Sequence, residues 1–482
     1  MVTLIRAGQL ARLIGTWRVT GGTAGTPGYA SLAGAIRGLL ADGRLAVGVR
    51  LPAERELAGA LGCSRTTVSA AYGQLRDSGH LSSRRGAGSW TAMPAGATVA
   101  TSGVWTPYGE ADVLDLGCAA LSAPPELATA AQRAVRDLPR YATGPGYNPA
   151  GLVELRAAVA AGFAARGLPT SAEQIMITSG VQHAVDLATR LLVGPGQGVL
   201  VESPTYPNVL ATLAGRRARV LTHGMAGLDW DDDLLLDTLR QARPAVAYLV
   251  PEFQNPTGAL MGTGLRERLP ATAHAAGTDL VIDESFVDLP LDVDTMPPPV
   301  ACFDRTSRVL TVGGMSKPYW GGLRIGWIRA SAPLVQRLAA VRVGMDMAGP
   351  VLEQLVAARL LEYGPVVLPR RRVELRARRA ALLAALAEHL PTWRVRPGAG
   401  GISLWAELDA PVSSALTRAA QAYGVRLAPG PRFGVDGTLE RFLRLPYALT
   451  EAELAQAVAR IAAARADLDR PARRWDTPAL VA

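Results

Sequence analysis

Hydrophobic residues recur at helical spacing near the start of this chain, over residues 29–40 and again over 51–61. Ser64 is a good N-cap for a third helix, whose apolar face is formed by Val68, Tyr72 and Leu75. A helix, a glycine-containing turn and a second helix with small polar residues and arginine at its start predict a helix-turn-helix. Residues 81–90 follow as two short predicted strands about a basic, glycine-rich tip, which is typical of a wing.

From about residue 113 to 465 the pattern changes, and helical segments alternate with short apolar runs typical of strands. These runs span residues 174–178, 199–202, 245–250, 279–283, 309–312 and 324–328. Strand–helix alternation over this length predicts an α/β domain with a largely parallel sheet. Beyond a long arginine-rich helix over 369–390, a smaller α+β subdomain is indicated, and we interpret the arginine run 370–372 as a solvated helix face.

A segment without sustained periodicity separates the two regions. Residues 91–112 contain scattered glycine and proline, which predicts a linker. As a flexible coil it would span roughly 26 Å, so the helical module can lie on its own body or on a partner subunit. We therefore divide the chain into an N-terminal extension, a winged helix, a linker, a large body and a tail expected to be disordered, with bounds 1–28, 29–90, 91–112, 113–465 and 466–482.

The net charge of +9 is concentrated at the N-terminal end. Residues 1–90 hold eleven arginines and four acidic residues, whereas the rest of the 482-residue chain is nearly neutral. This distribution is expected of a nucleic-acid-binding module fused to a neutral body. A composition of 49% apolar and 19% charged residues excludes disorder and collagen.

The cysteines and the apolar runs exclude other classes of protein. Cys63, Cys118 and Cys302 are odd in number and far apart, which predicts neither a disulfide framework nor a metal site. No uncharged run approaches the roughly 18 residues of a membrane span. Evenly spaced arginines break up the N-terminus too regularly for a signal peptide. We expect a cytoplasmic protein without membrane contact.

One basic residue differs from all the others. Of the 50 lysines and arginines, only residue 317 is lysine. A lysine amine can lose its proton and form a Schiff base, which an arginine guanidinium cannot do. The count alone leaves two explanations open: the lysine is retained for its chemistry, or a biased composition left a single lysine by chance.

The N-terminal motifs resemble the winged helix of GntR-type transcription regulators. The pattern L-P-x-x-R-x-L-A … S-R-x-T-V … G-x-G is matched by residues 51–58, 64–68 and 86–88. The resemblance implies that the positions facing DNA are Arg55, Ser64, Arg65, Thr66, Thr67, Arg85 and Gly86. Guanidinium groups can bond phosphates or a guanine edge, and hydroxyls at a helix start meet phosphate oxygens. The alternative is a winged helix that serves only as a dimerisation element.

The segment around Lys317 resembles the S-K-x(5)-L-R-x-G segment of fold-type I pyridoxal 5'-phosphate (PLP) proteins. Further matches occur in that family's order at residues 141–156, 178–182, 203–207, 255–258 and 283–284. The resemblance implies that Lys317 forms the internal aldimine and that Asp283 pairs the pyridine nitrogen, so that the ring acts as an electron sink.

The same resemblance implies roles for the remaining site residues. Tyr206 would stack on the ring, and Asn255 would donate to its phenolic oxygen. Arg444 matches the arginine that grips the carboxylate of amino-acid ligands. The cofactor phosphate would be held by Ser179, Gly180, Val181, Ser316 and Arg324.

Two positions depart from the family pattern. Ser285 and Phe286 stand where a tyrosine usually bonds the phenolic oxygen, and Gly314 stands where a hydroxyl residue usually bonds the phosphate. Each lost bond is typically worth about 0.5–1.5 kcal/mol or more, so the departures should weaken cofactor binding without abolishing it.

A GntR-type winged helix, a linker and an aminotransferase-like body form the arrangement of MocR-type regulators. The resemblance implies a PLP-dependent regulator that binds a double-stranded DNA operator and responds to an amino-acid or amine effector reacting at Lys317. It further implies a homodimer, in which the winged helices are exchanged between subunits or retained. Two alternatives stay open at this point: an active aminotransferase that carries a winged helix, and a regulator that never loads PLP.

Overall fold

The computed structural model describes residues 4–17, 28–84, 88–94, 112–225 and 229–469. Predicted positions Arg85 and Gly86 lie outside these residues, as does most of the predicted linker. The N-terminal module consists of α1 (Ala7–Ile14), α2 (Gly28–Ala41), α3 (Glu54–Leu61), α4 (Arg65–Asp77), β1 (Leu81–Arg84) and β2 (Gly88–Thr91).

The module has the winged helix-turn-helix structure that the apolar pattern predicts. Val68, Tyr72 and Leu75 are buried in its core, and Ser64 caps α4 by accepting a bond from the Thr67 amide at 3.1 Å. The two wing strands pair antiparallel. The predicted N-terminal extension contributes more than a tail, because α1 buries Leu10 in the same core.

The large part of the body alternates helices and strands as expected. Its elements are β3 (Leu114–Asp115), α5 (Glu126–Asp137), α6 (Val153–Ala165), β4 (Ile175–Thr178), α7 (Val181–Leu192), β5 (Gly198–Ser203), α8 (Pro207–Gly215), β6 (Arg219–Gly224), α9 (Asp232–Ala242), β7 (Val246–Leu249), α10 (Thr263–Ala276), β8 (Asp279–Asp283), β9 (Val309–Gly314), β10 (Gly326–Arg329), α11 (Ala332–Val343) and α12 (Val351–Leu361).

Seven of these strands form one sheet in the order β4-β10-β9-β8-β7-β5-β6. Strand β10 runs antiparallel to both neighbours, and the other pairs are parallel, so the sheet is largely parallel as predicted. Strand β6 at the edge was not predicted. Parallel strands place their carboxyl ends at one edge of the sheet, which is where open α/β sheets bind ligands.

The C-terminal part forms the smaller α+β subdomain. It comprises α13 (Gly364–His389), β11 (Arg394–Val395), β12 (Ser403–Glu407), α14 (Ser413–Gln421), β13 (Val425–Arg426), β14 (Ala428–Pro429), β15 (Phe442–Pro446) and α15 (Glu451–Asp469). Strands β11, β12, β15 and β14 form its sheet, whereas β13 pairs with β3 of the large part. The tail predicted from residue 466 starts inside α15, and residues 470–482 lie outside the described part of the chain.

The interpretation of residues 370–372 as a solvated helix face is wrong. Arg371 is 4% exposed and donates to the carbonyls of Ser122 and Tyr319, while Arg372 donates to Asp288 O at 3.0 Å. Arg370 pairs with Glu126 at 2.7 Å. Long arginine stems can pack against apolar surface while their heads bond carbonyl groups. This face of α13 therefore ties the small subdomain to the large one.

No helix in the described ranges is both long and apolar enough to cross a membrane.

Candidate functional site

Lys317 lies just beyond the buried strand β9, at the carboxyl edge of the sheet. Its Nζ donates to Ala119 O at 2.7 Å and lies 5.7 Å from the centroid of the Phe286 ring. Burial, aided by the positive charge of Arg444, lowers the pKa of the lysine to about 8. The amine is therefore partly neutral near physiological pH, which is the form that attacks a carbonyl carbon.

Asp283 ends β8 on the same edge and is 4% exposed. Its Oδ2 accepts from the Tyr248 hydroxyl at 2.5 Å, and its Oδ1 accepts from the Ser285 hydroxyl at 2.5 Å and from the Ser285 amide at 2.9 Å. Burial raises the pKa of this carboxyl, and the bonds from Ser285 and Tyr248 oppose that rise. The three donors fix the carboxylate in one orientation within the apolar interior.

Tyr248 is a residue that the sequence reasoning missed. It lies in the apolar strand β7, where a tyrosine is interpreted most simply as core. Only the parallel pairing of β7 with β8 brings its hydroxyl to the carboxylate of Asp283. In the sequence, Ser285 stands out only as a departure from the family pattern. The structure gives its hydroxyl a partner, the carboxylate of Asp283.

The predicted phosphate-binding residues form a cradle at the start of α7. Gly180 is the N-cap, with φ 87°, and Arg324 donates from Nη2 to Ser179 O at 2.9 Å. A Cβ on Gly180 would stand 2.6 Å from that Nη2 atom, and a Cβ on Gly326 would stand 2.6 Å from the carbonyl carbon of Gly180. The first amides of a helix lack intrahelical partners and favour an anion.

The departure at Gly314 has a steric reason. A Cβ at this position would lie 3.0 Å from Ile325 O and 3.0 Å from a methyl group of Val181. A side chain at residue 314 would require the Val181 side chain and the backbone at Ile325 to shift by a few tenths of an ångström. The packing around β9 therefore favours glycine over the usual hydroxyl residue.

A cleft with about 620 Å³ of empty space lies between these groups. Its lining includes seven of the predicted cofactor-binding residues: Val181, Tyr206, Asn255, Asp283, Ser316, Lys317 and Arg324. Ser179 and Gly180 do not line it and lie behind Arg324. Burial raises the pKa of the Tyr206 phenol, whose oxygen accepts from Asn208 at 2.8 Å. On α7, His183 accepts at Nδ1 from the Ser179 amide at 3.1 Å and does not line the cleft.

These residues fit the cofactor that the sequence predicts. The cleft provides an amine and a buried carboxylate, and the anion cradle at the start of α7 adjoins it through Arg324.

Arg444, on β15, is a second buried cation near the amine. It is 8% exposed, donates to Gly117 O and lies 5.1 Å from the centroid of the Phe433 ring. Its Nε has no hydrogen-bond partner among the described residues, and burial lowers the pKa of the guanidinium to about 10. An incompletely neutralised buried guanidinium is suited to a carboxylate ligand.

Four of the predicted DNA-facing residues, Ser64 to Thr67, lie at the start of α4, and Arg55 lies in the first turn of α3. Arg55, Ser64, Arg65 and Thr66 are exposed, and Thr67 is half-buried. The Nε of Arg65 lies 3.5 Å from Glu54, which is a weak surface contact that leaves the guanidinium accessible. These residues therefore present one polar and basic surface.

Two family models match the chain. The model described as aminotransferase class I and II matches residues 113–461, and the model described as bacterial regulatory proteins, gntR family, matches residues 28–90.

Three relatives illustrate the two halves of the chain. It is 32% identical to the 2-aminoadipate transaminase of Thermus thermophilus over 346 residues, which cover 70% of this chain and 85% of the relative. It is 27% identical over 462 residues to YdfD of Bacillus subtilis, which is described as an uncharacterized HTH-type transcriptional regulator. The matched residues cover 89% of this chain and 94% of YdfD. Among solved structures, one similar protein is the α-aminoadipate aminotransferase LysN of Thermus thermophilus, complexed with N-(5'-phosphopyridoxyl)-L-leucine. The TM-score is 0.68 and the sequence identity 31%, and the match covers 74% of this chain and 93% of LysN. The aminotransferase-like fold of the body is thereby confirmed.

The low pKa of Lys317 predicts a distinctive pH profile. When PLP is added to cofactor-free protein, the rate of Schiff-base formation should rise with pH through about 8 and then level off, because the neutral amine reacts. Absorbance at each pH measures this rate. Lys317→Arg is the control, since it retains the charge and removes the amine. An inflection at the ordinary value for lysine would show that the amine is not desolvated.

Tyr248→Phe should weaken PLP binding about tenfold, which corresponds to roughly 1.4 kcal/mol for the loss of a bond that orients a charged group. The measurement is a PLP titration followed by absorbance. Tyr447→Phe is a matched control, because it also removes a buried hydroxyl bond, to Gly401 O at 2.9 Å in the small subdomain. Equal PLP affinities of the two variants would contradict a positioning role for Tyr248.

Proposed function

Because the chain belongs to the aminotransferase class I and II family and carries a gntR-family domain ahead of that region, we propose that it is a PLP-dependent transcriptional regulator of the MocR type. The observation that carries this proposal is the presence in one chain of two sites. An exposed basic surface begins α4, and a half-buried amine faces the aminotransferase-type cleft.

The cofactor is PLP, held by the residues that line the cleft and its cradle. When bound, it supplies an aldehyde that condenses reversibly with amines and a ring that withdraws electrons. Lys317 would provide the amine that holds it, and Asp283 would pair with its ring nitrogen. Arg324 and the first amides of α7 would bind its phosphate.

The effector is an amino compound with a carboxylate or similar anion. Its amine competes with Lys317 for the cofactor, and its anion binds Arg444, whose Nε has no other partner among the described residues. Once released, the Nζ of Lys317 can hold a proton, because its pKa of about 8 lies near ambient pH. Two anchoring points make the site selective for molecules that carry both groups.

Effector binding controls DNA binding only if the effector prefers one arrangement of the protein over another. The DNA-binding surface comprises Arg55, Ser64, Arg65, Thr66 and Thr67, with Arg85 and Gly86 of the wing proposed from the motif. Arginines and helix-start hydroxyls bind phosphates, and the start of a recognition helix reads base edges in the major groove.

We also propose that the protein acts in the cytoplasm as a homodimer. Large apolar side chains are exposed in segments that match the family motifs: Tyr147 is 63% exposed, Val153 67% and Trp320, beside the amine, 37%. A second copy would cover them and provide two DNA-binding modules for a two-fold symmetric operator. Sedimentation equilibrium should return the mass of a dimer, whereas a monomer mass would contradict this arrangement.

The basic surface of α4 predicts a salt-dependent interaction with DNA. Arg65→Ala should weaken binding to a duplex selected from a random library by about 5–150-fold if the side chain reaches a base edge, or reduce the salt slope by about 0.9 if it contacts a phosphate. Fluorescence anisotropy over a salt series measures both quantities. Arg76→Ala is the control, because Arg76 is exposed at the opposite end of the same helix. Equal, salt-insensitive binding by both variants would contradict the DNA-binding role.

A working aminotransferase is the second candidate function. It is favoured by the 32% identity to a transaminase and by the amine with a pKa of about 8 beside Asp283. It is disfavoured by Phe286, which provides no hydroxyl to the ring oxygen. With PLP-loaded protein, pooled amino acids and 2-oxoglutarate, we expect no steady formation of new 2-oxo acids beyond the level of Lys317→Arg. Steady turnover would replace the regulator proposal with an enzymatic one.

A further inference from the structure

Within the described ranges, the DNA-binding module contacts the body of its own chain at two places. The first lies between α1 and α9, where Gln9 donates from Nε2 to Asp237 Oδ2 at 3.1 Å. Both residues are buried, and Arg6 pairs with the same carboxylate at 3.4 Å. This contact anchors the module but lies away from the cofactor cleft.

The second contact joins the turn after α2 to the small subdomain. Leu439 donates its amide to Ala41 O at 2.7 Å, and Arg441 lies 3.9 Å from the carboxylate of Asp42. On the other side of this turn, a Cβ on Gly224 would stand 2.4 Å from Arg44 O. The turn is therefore held between the end of β6 and the segment around Leu439. We call this contact the joint.

The segment that forms the joint also contacts the predicted effector site. Phe433 is 1% exposed, and its ring lies 5.1 Å from the guanidinium of Arg444. Its carbonyl accepts from the Thr205 amide at 2.8 Å, beside the predicted ring-stacking residue Tyr206. Phe433 and Leu439 belong to one small buried cluster.

Leu439 has an unusual backbone conformation at the point of contact. Its φ is 72°, a left-handed value that side-chain-bearing residues rarely adopt, and its side chain is 1% exposed. Such conformations persist only where surrounding contacts enforce them. The docked turn and the aromatic cluster are the contacts that enforce it here.

We propose that residues 430–441 form a mechanical link, through which an anion bound at Arg444 changes the docking of the DNA-binding module at the joint. The link consists of direct contacts from Arg444 to Phe433, from Phe433 through its cluster to Leu439, and from Leu439 to the Ala41–Arg44 turn. This inference rests on the proposed function, because it specifies how the effector site of that proposal reaches the DNA-binding module.

The physical basis is competition for one guanidinium. Arg444 now donates to Gly117 O and lies over the Phe433 ring. A carboxylate that draws the guanidinium away removes a cation–π contact from Phe433 and alters the packing that keeps Leu439 in its strained conformation. Couplings between distant sites are typically about 1–3 kcal/mol, equivalent to 5–150-fold in an equilibrium.

The link is tested by amide hydrogen exchange in the full-length, PLP-loaded protein without DNA. Phe433→Leu and Arg444→Gln disturb its effector end without contacting the module. Both should accelerate exchange in peptides covering residues 38–45, by about 5–150-fold for amides protected by docking. Increases confined to residues 430–444 would overturn the proposal, and two variants are used in case one fails to fold.

Two glycine variants test whether the joint itself is docked in solution. Gly224→Ala places a methyl group against Arg44 O and should accelerate exchange on both sides of the joint. Gly215→Ala, at the end of the adjacent α8, is the matched control, because nothing lies within 4 Å of its added Cβ. Unchanged exchange in Gly224→Ala would also overturn the proposal. Because none of these readings uses DNA or an effector, failure of the proposed regulatory function would appear separately.

Discussion

Two incompletely neutralised cations, Lys317 and Arg444, lie close together in the interior, and the rest of the site depends on how this charge is accommodated. Their pKa values fall to about 8 and about 10, chiefly because burial disfavours the charged forms. Two carbonyls of one short segment accept hydrogen bonds from these cations: Ala119 O from Lys317, and Gly117 O from Arg444. Carbonyl dipoles compensate a buried cation less completely than a carboxylate does. An anionic amino compound that replaces these carbonyls would therefore be strongly favoured.

The negative partner in the cleft is restrained just as tightly. Asp283 accepts hydrogen bonds on both oxygens, and these bonds oppose the rise in its pKa that burial causes. Around it, glycines at 180, 314 and 326 let the strands and the start of α7 approach more closely than side chains would allow. The tight packing at Gly314 is consistent with glycine standing where the family usually has a hydroxyl residue. The site is consequently defined by backbone geometry as much as by its functional groups.

Much of the fold follows from local pattern, and what does not follow depends on partners distant in sequence. Periodicity located the helix-turn-helix and six of the seven strands of the main sheet, and family motifs led to Lys317 and Asp283. Strand β6 escaped notice because it lies at the sheet edge and is only partly apolar. The sequence gives no sign that Tyr248 belongs to the site, because its partner, Asp283, lies 35 residues further along the chain. The sequence predicts that the arginines of α13 face solvent, because a run of charged residues is usually exposed. It cannot show that backbone carbonyls distant in sequence accept hydrogen bonds from Arg371 and Arg372.

A regulator and a transaminase can be built from the same cleft, and the difference lies in how ligand binding energy is used. In an enzyme, interactions that form only in the transition state accelerate the reaction. In a regulator, the same interactions must distinguish two arrangements of the protein. In the proposed link, the strained Leu439 lies between Arg444 and the DNA-binding module. An interaction at the guanidinium would therefore change how the module docks on the body. A body that served catalysis alone would gain nothing from a connection between Arg444 and the module through a strained and buried residue.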